Sequence, residues 1–118
     1  MTGIHGDQKI SLTGWQGGTS GLRVGKESRQ RVLLPFQTTL RRVWIDLPGH
    51  GVKPQCRITS AFWTTCPEFR CAEIGRWMEW RGEKPWERGK PPRYEAEVVS
   101  MDGDSATVRI VLSVIDGD

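Results

Sequence analysis

Between Gly14 and Arg31 the chain reads GWQGGTSGLRVGKESRQR, a run of glycines and small hydroxyls that ends among the cations Arg23, Lys26, Arg29 and Arg31. Such a run serves two kinds of chemistry: cradling the phosphates of a nucleotide, or straddling the backbone of a nucleic acid. The first needs the pattern G-x4-G-K-[ST], whose final hydroxyl holds magnesium. Gly25 and Lys26 supply its middle, but Ser20 stands where the first glycine belongs, and Glu27 replaces the hydroxyl with a carboxylate that repels phosphate. No G-x-G-x-x-G occurs either, so no nucleotide cofactor is expected.

The polynucleotide chemistry fits these residue types better. Gln16, Thr19, Ser20, Arg23, Lys26 and Arg29 are side chains that contact phosphate oxygens, and the intervening glycines bare backbone N–H groups for close approach. Arg57, Thr59 and Ser60 offer a second contact arm. Arg42 and Trp44 alternate onto one face of a strand, where the indole can stack on a base or on a partner protein. A wide hairpin loop without any ligand would use the same Gly-Gly pair, and that reading stays open beside the first.

Other site chemistries find less support. Cys66 and Cys71 stand near each other, but a zinc site wants two such paired elements and the chain has no second one, leaving only Cys56, His5 and His50. No metal is expected, and the three thiols read as reduced and mostly buried. Neither histidine has a nucleophile beside it, no E-x-K follows an acid in the manner of metal-dependent nucleases, and Asp102 and Asp104 belong to a hairpin turn. A thiol at a helix N-terminus is the one nucleophile on offer, and it lacks a partner base. The chain is therefore not read as an enzyme.

Charge placement points the same way. From Leu22 to Arg93 there are 15 Lys and Arg against 7 Asp and Glu, whereas from Tyr94 onward Arg109 is the one cation against six acids. A basic body with an acidic closing segment implies a face for an anionic partner. Twelve of the 17 cations are arginines, whose planar fork suits phosphate and guanine. No apolar run approaches membrane length and no signal-like segment opens the chain, so a cytoplasmic protein with no membrane contact is expected.

The elements that must position these residues can be read from periodicity. At 118 residues the chain is one domain, 1–118, with a core at about 9–115 and a flexible lead-in over 1–8. KISLTGW and LRV read as strands, and KESRQRVLL as a short helix stopped before Pro35. LRRVWIDL is the clearest strand, with Val43, Ile45 and Leu47 on one face, and QCRITSAF returns beside it. TTCPEF predicts the start of a second helix, with Thr65 and Glu68 at capping-box spacing, running to about Arg81 with Gly82 as its stop. RYEAEVV and SATVRIVLSVI close the chain as a hairpin about Asp102-Gly103. Trp77 is a core ring of the second helix. Trp15, Trp63 and Trp86 sit at element ends, and neither Trp44 nor Trp80 is assigned to core or surface.

This order resembles the B3-like DNA-binding pseudobarrels, the group of plant transcription-factor domains and restriction-endonuclease effector domains. GLRVGKESRQRVLLP looks like their strand running into the first helix. IGRWMEWRGEKPWERGKPPRYEAEVVSMDGDSATVRIVL looks like their tryptophan-bearing helix leading through a glycine turn to a final hairpin. Six strands are recognised here where that family has about seven, and Gly89-Lys90 followed by two prolines replaces the family's frequent Gly-Asp. The resemblance implies a mainly β, α+β fold, an open barrel (pseudobarrel) of six to seven strands with two short helices. It also implies DNA contact by the loop from Gln16 to Arg23 with Lys26, and by Arg57 to Ser60. The expected function is a non-catalytic module gripping double-stranded DNA through two basic arms, in prokaryotic regulation or defence. The alternative is a protein–protein interaction module, or an inhibitor that occupies another protein's nucleic-acid site.

Overall fold

Alternation along each strand sends every second side chain inward, and the fold follows from closing those inner faces on one another. The computed structural model describes residues 8–16, 20–51 and 53–111; the lead-in expected to be flexible falls largely outside them. Among these residues seven strands form one sheet: β1 (Lys9–Trp15), β2 (Gly21–Val24), β3 (Arg42–Asp46), β4 (Gln55–Arg57), β5 (Glu68–Arg70), β6 (Arg93–Asp102) and β7 (Ser105–Val111). Helix α1 (Lys26–Ser28) runs on as a π-helical turn, Arg29–Leu33, and a 3-10 turn, Leu34–Phe36. Helix α2 spans Ala72–Trp80, and Ser60–Trp63 form a separate 3-10 turn. No helix among the described residues is long and apolar enough to cross a membrane.

The strands lie in the order β4-β3-β7-β6-β1-β2-β5. Neighbours are antiparallel except for the parallel pair β3–β7. A register shift between Val98 and Ser100 bends the long strand β6, as an inserted residue does. The sheet curls until its edge strands β4 and β5 come close, giving an open, nearly closed barrel with two short helices, as expected. Its interior is lined by Ile10, Leu12, Leu22, Val43, Ile45, Phe69, Ala96, Val108 and Ile110, and α2 adds Ile74, Trp77 and Met78. The Trp77 indole donates to the Pro48 carbonyl at 3.0 Å, so the largest buried ring is also satisfied in its polar atom. Past α2, Gly82 takes φ of +78°, the left-handed stop that an L side chain resists.

The structure corrects the sequence reading at three places. Glu68–Arg70 is a strand, not the first turn of a helix, and supplies the seventh strand of the barrel. Strand β4 ends at Arg57, because Thr59 to Trp63 coil into the 3-10 turn that carries the chain round the barrel's seam. Of the cysteines only Cys56 is buried; Cys71 is half-buried and Cys66 exposed.

Candidate functional site

Strands β3 and β4 pair Arg42 with Arg57 and Trp44 with Gln55, and the side chains of all four stand on the outer face. Arg41 joins them because its backbone N–H donates to the Asp104 carbonyl at 2.7 Å, which docks the start of β3 onto the β6–β7 turn. The result is a cleft of about 350 Å3 lined by Arg41, Arg42, Gln55 and Arg57, with no acidic side chain in its wall. The nearest counter-charge is Asp104, whose carboxylate lies 3.7 Å from the Arg42 guanidinium. Among the described residues Arg41 donates only to the Leu40 carbonyl, at 3.2 Å, and Arg57 has no side-chain partner. Like charges directly opposite on paired strands repel. A bound anion would turn that repulsion into attraction, and arginine forks match phosphate oxygens two at a time.

A second cluster forms where β1, β2 and β5 run side by side. Register places Thr13 beside Arg23, and Arg23 beside Glu68. Glu68 is buried, its side chain only 2% exposed, and both of its oxygens are taken. Arg23 donates to one oxygen at 2.9 and 3.3 Å, and Arg70 to the other at 2.9 Å. Burial pushes the Glu68 carboxyl up, but the hydrogen bonds and charges of Arg23 and Arg70 outweigh it and hold the group below the usual carboxylate range. The trio therefore carries a net positive charge, with two guanidiniums half-exposed and fixed in direction by one anchored acid. Arg23 also lies over the Trp15 ring, 5.5 Å from its centre. Beyond it opens a cleft of about 460 Å3 between the β1–β2 hairpin and the segment from Trp86 to Pro91.

The residues singled out in the sequence thus divide. Gln16 and Arg23 line the second cleft, and Arg42 and Arg57 the first. Trp44 is 38% exposed beside Gln55, at the margin of the arginine cleft. Thr59 and Ser60 are exposed at the 3-10 turn that follows, and Lys26 is exposed at the start of α1. Ser20 is buried against Gly75 of α2, and its carbonyl accepts the Cys71 N–H at 3.1 Å. Arg29 donates to the Phe62 carbonyl at 3.1 Å, tying α1 to the 3-10 turn. Thr19 lies outside the described residues. Sequence reasoning missed Arg41, Gln55, Glu68, Arg70, Trp86 and Arg88. The signal that could have found Glu68 and Arg70 was the apolar Phe69 between two charges, a strand-like alternation inside a helix-like context.

The two clusters lie at the two edges of the sheet, and those edges face each other across the seam. The segment spanning the seam is held from both sides, by the Arg29 bond to Phe62 and by the Val24 N–H donating to the Pro67 carbonyl at 2.7 Å. Among the described residues no three His, Cys, Asp or Glu side chains gather as a metal site would require. The chain matches no family model, no curated protein and no solved structure.

Proposed function

We propose that this chain is a non-catalytic module that grips duplex DNA through two basic arms, in the manner of the B3-like pseudobarrels. One arm is the Arg41–Arg42–Arg57 cleft and the other the Arg23–Arg70 pair, on opposite sides of the barrel seam. On this reading the module acts in the cytoplasm, in prokaryotic regulation or defence. The observation that carries it is the first cleft. Three arginines line it together with Gln55, and a carboxylate of Asp104 lies 3.7 Å from Arg42. Clustering like charges is unfavourable in the free protein, and a polyanion with evenly spaced phosphates relieves it. Gln55 adds a carboxamide, a group able to read a base edge in the major groove.

The test is fluorescence anisotropy with a random-sequence duplex of about 20 base pairs over a salt series. The logarithm of affinity should fall linearly with the logarithm of salt, with a slope that lessens by about 0.9 for each phosphate contact removed. Arg57→Ala should flatten the slope by about that amount, and Arg42→Ala with Arg57→Ala by about twice it. Arg76→Ala is the control, because Arg76 lies outside both clefts and pairs with Glu73 on its own helix. No binding at low salt, or an equal response to all three substitutions, would overturn the proposal and direct attention to a protein partner.

A further inference from the structure

The second cleft holds more than cations. Its lining includes two indoles, Trp15 and Trp86, together with Gln16, Arg23 and Arg88. Gly14 forms part of the floor, and a Cβ there would sit 2.8 Å from Pro92 and 3.1 Å from the Trp86 ring, so only glycine lets the loop close down over the hairpin. The Gln16 carboxamide reaches the Trp86 carbonyl only at 3.4 Å, a contact weak enough to be exchanged. The Trp15 indole N–H is buried and has no acceptor among the described residues. Arg88 has no side-chain partner among them either.

These features select a ligand class. An aromatic lining offers a face to a planar ring, and a carboxamide with a guanidinium reads a ring's polar edge. Among the described residues no carboxylate lines the cleft, and Arg23 and Arg88 make it positive, so a cationic guest such as a methylated ammonium is disfavoured. The volume of about 460 Å3 falls within the range of small-molecule sites and exceeds what one side chain would fill. We propose that this cleft receives the base of a single unpaired nucleotide, stacked against Trp86 with its phosphate toward Arg88. The inference rests on the DNA-binding reading, because the same hairpin carries Arg23 of one arm.

Taking a base out of a duplex is unfavourable, and least so where the base is already unpaired. A duplex with one bulged nucleotide should therefore bind about tenfold tighter than the perfect duplex, the gain of one stacked base. Anisotropy against both duplexes and against thymidine monophosphate, for wild type, Trp86→Leu and Trp86→Phe, tests this. The ratio of the two duplex affinities should fall to about one in Trp86→Leu and persist in Trp86→Phe. Should Trp86→Leu unfold, the Trp15 indole N–H resonance, assigned through Trp15→Phe, gives a second readout and should shift with the bulged duplex alone. Equal affinity for both duplexes would overturn the base-pocket inference and leave the DNA-binding proposal standing. Saturable binding of the nucleotide without either duplex would support the pocket and defeat the duplex proposal. Binding of none of the three would overturn both.

Discussion

The Arg23–Glu68–Arg70 trio allows a prediction whose sign depends on where each group sits. The carboxylate is buried and each guanidinium half-exposed, with exposures of 2% against 52% and 50%. Removing either arginine alone leaves Glu68 ionised and bonded to the other. Arg23→Ala or Arg70→Ala should then cost about 1 kcal/mol, the scale of one half-exposed ion pair. Removing both leaves a buried carboxylate without a cation, which costs about 3–5 kcal/mol, more than the two singles together. Against a total stability of roughly 5–15 kcal/mol this is a large fraction, and at about 3–5 °C per kcal/mol it is plain in a thermal melt. The pH dependence sharpens the test. In the wild type the Glu68 pKa is depressed, so its stabilisation is present above about pH 4.3 and lost as pH falls through the lower, folded value. In the double variant the folded value rises above the unfolded one, so the sign reverses and the deficit shrinks on acidification. Urea melts at pH 7 and pH 4 on the four proteins measure this cycle, and adding Glu68→Gln to the double variant should restore part of the loss. Additive singles, or a deficit that ignores pH, would show that Glu68 does not depend on its two arginines.

Three further outcomes are expected. Gly21→Ala places a Cβ 2.3 Å from the Phe69 carbonyl oxygen, so β5 must move off β2, with a loss of about 3 kcal/mol and a flatter salt slope measured on the folded fraction. With an alkylating reagent at pH 8, Cys66 should react first and Cys56 only on unfolding, as peptide mapping would show, because burial, then the charge of Cys71, pushes the Cys56 thiol up to about 12. Tyr94 is also raised, by burial and then by its hydroxyl donating to Glu83 at 2.6 Å. Both groups hold their protons more tightly when folded, so stability should decline as pH rises past about 8.5–10, and Tyr94→Phe should lessen that decline in melts from pH 7 to 11.

Much of the barrel was legible because one-sided burial writes itself into a strand as alternation. KISLTGW and RVWID show this plainly, and Asp102-Gly103 marks the last hairpin. Strand β5 was not legible. Thr65, Pro67 and Glu68 are together a good helix start, and three residues are too few for a period to show. Long-range pairing decides that segment: Leu22 and Phe69 pair in register, the Pro67 carbonyl takes the Val24 N–H, and α2 begins only after Cys71. The site divides in the same way. Arg42, Gln55 and Arg57 follow from alternation, but Arg41 is placed by its bond to Asp104, and Arg70 meets Arg23 at Glu68 only through a register that no local window contains. Trp86 and Arg88 enter through the descent of a proline-rich loop onto Gly14.

A second physical account of these arginines must be weighed against recognition. Strands β4 and β5 are the edges of the sheet, and natural edges carry charge to prevent pairing with another chain. Protection of that kind needs charge but not direction, and a mobile lysine provides it without any buried partner. Apart from Arg57, the arginines here are held in place. Arg23 and Arg70 are held by a carboxylate withdrawn from water, and Arg41 stands beside Arg42 because two successive N–H groups, at 2.7 and 3.2 Å, are anchored on the Asp104 carbonyl. Burying Glu68 costs desolvation, and opposing Arg42 to Arg57 costs repulsion, so the arrangement departs from what edge protection alone would select. The Arg23 and Arg70 bonds offset the first cost, and an anion held at fixed geometry would offset the second, which is the use we propose for that cleft.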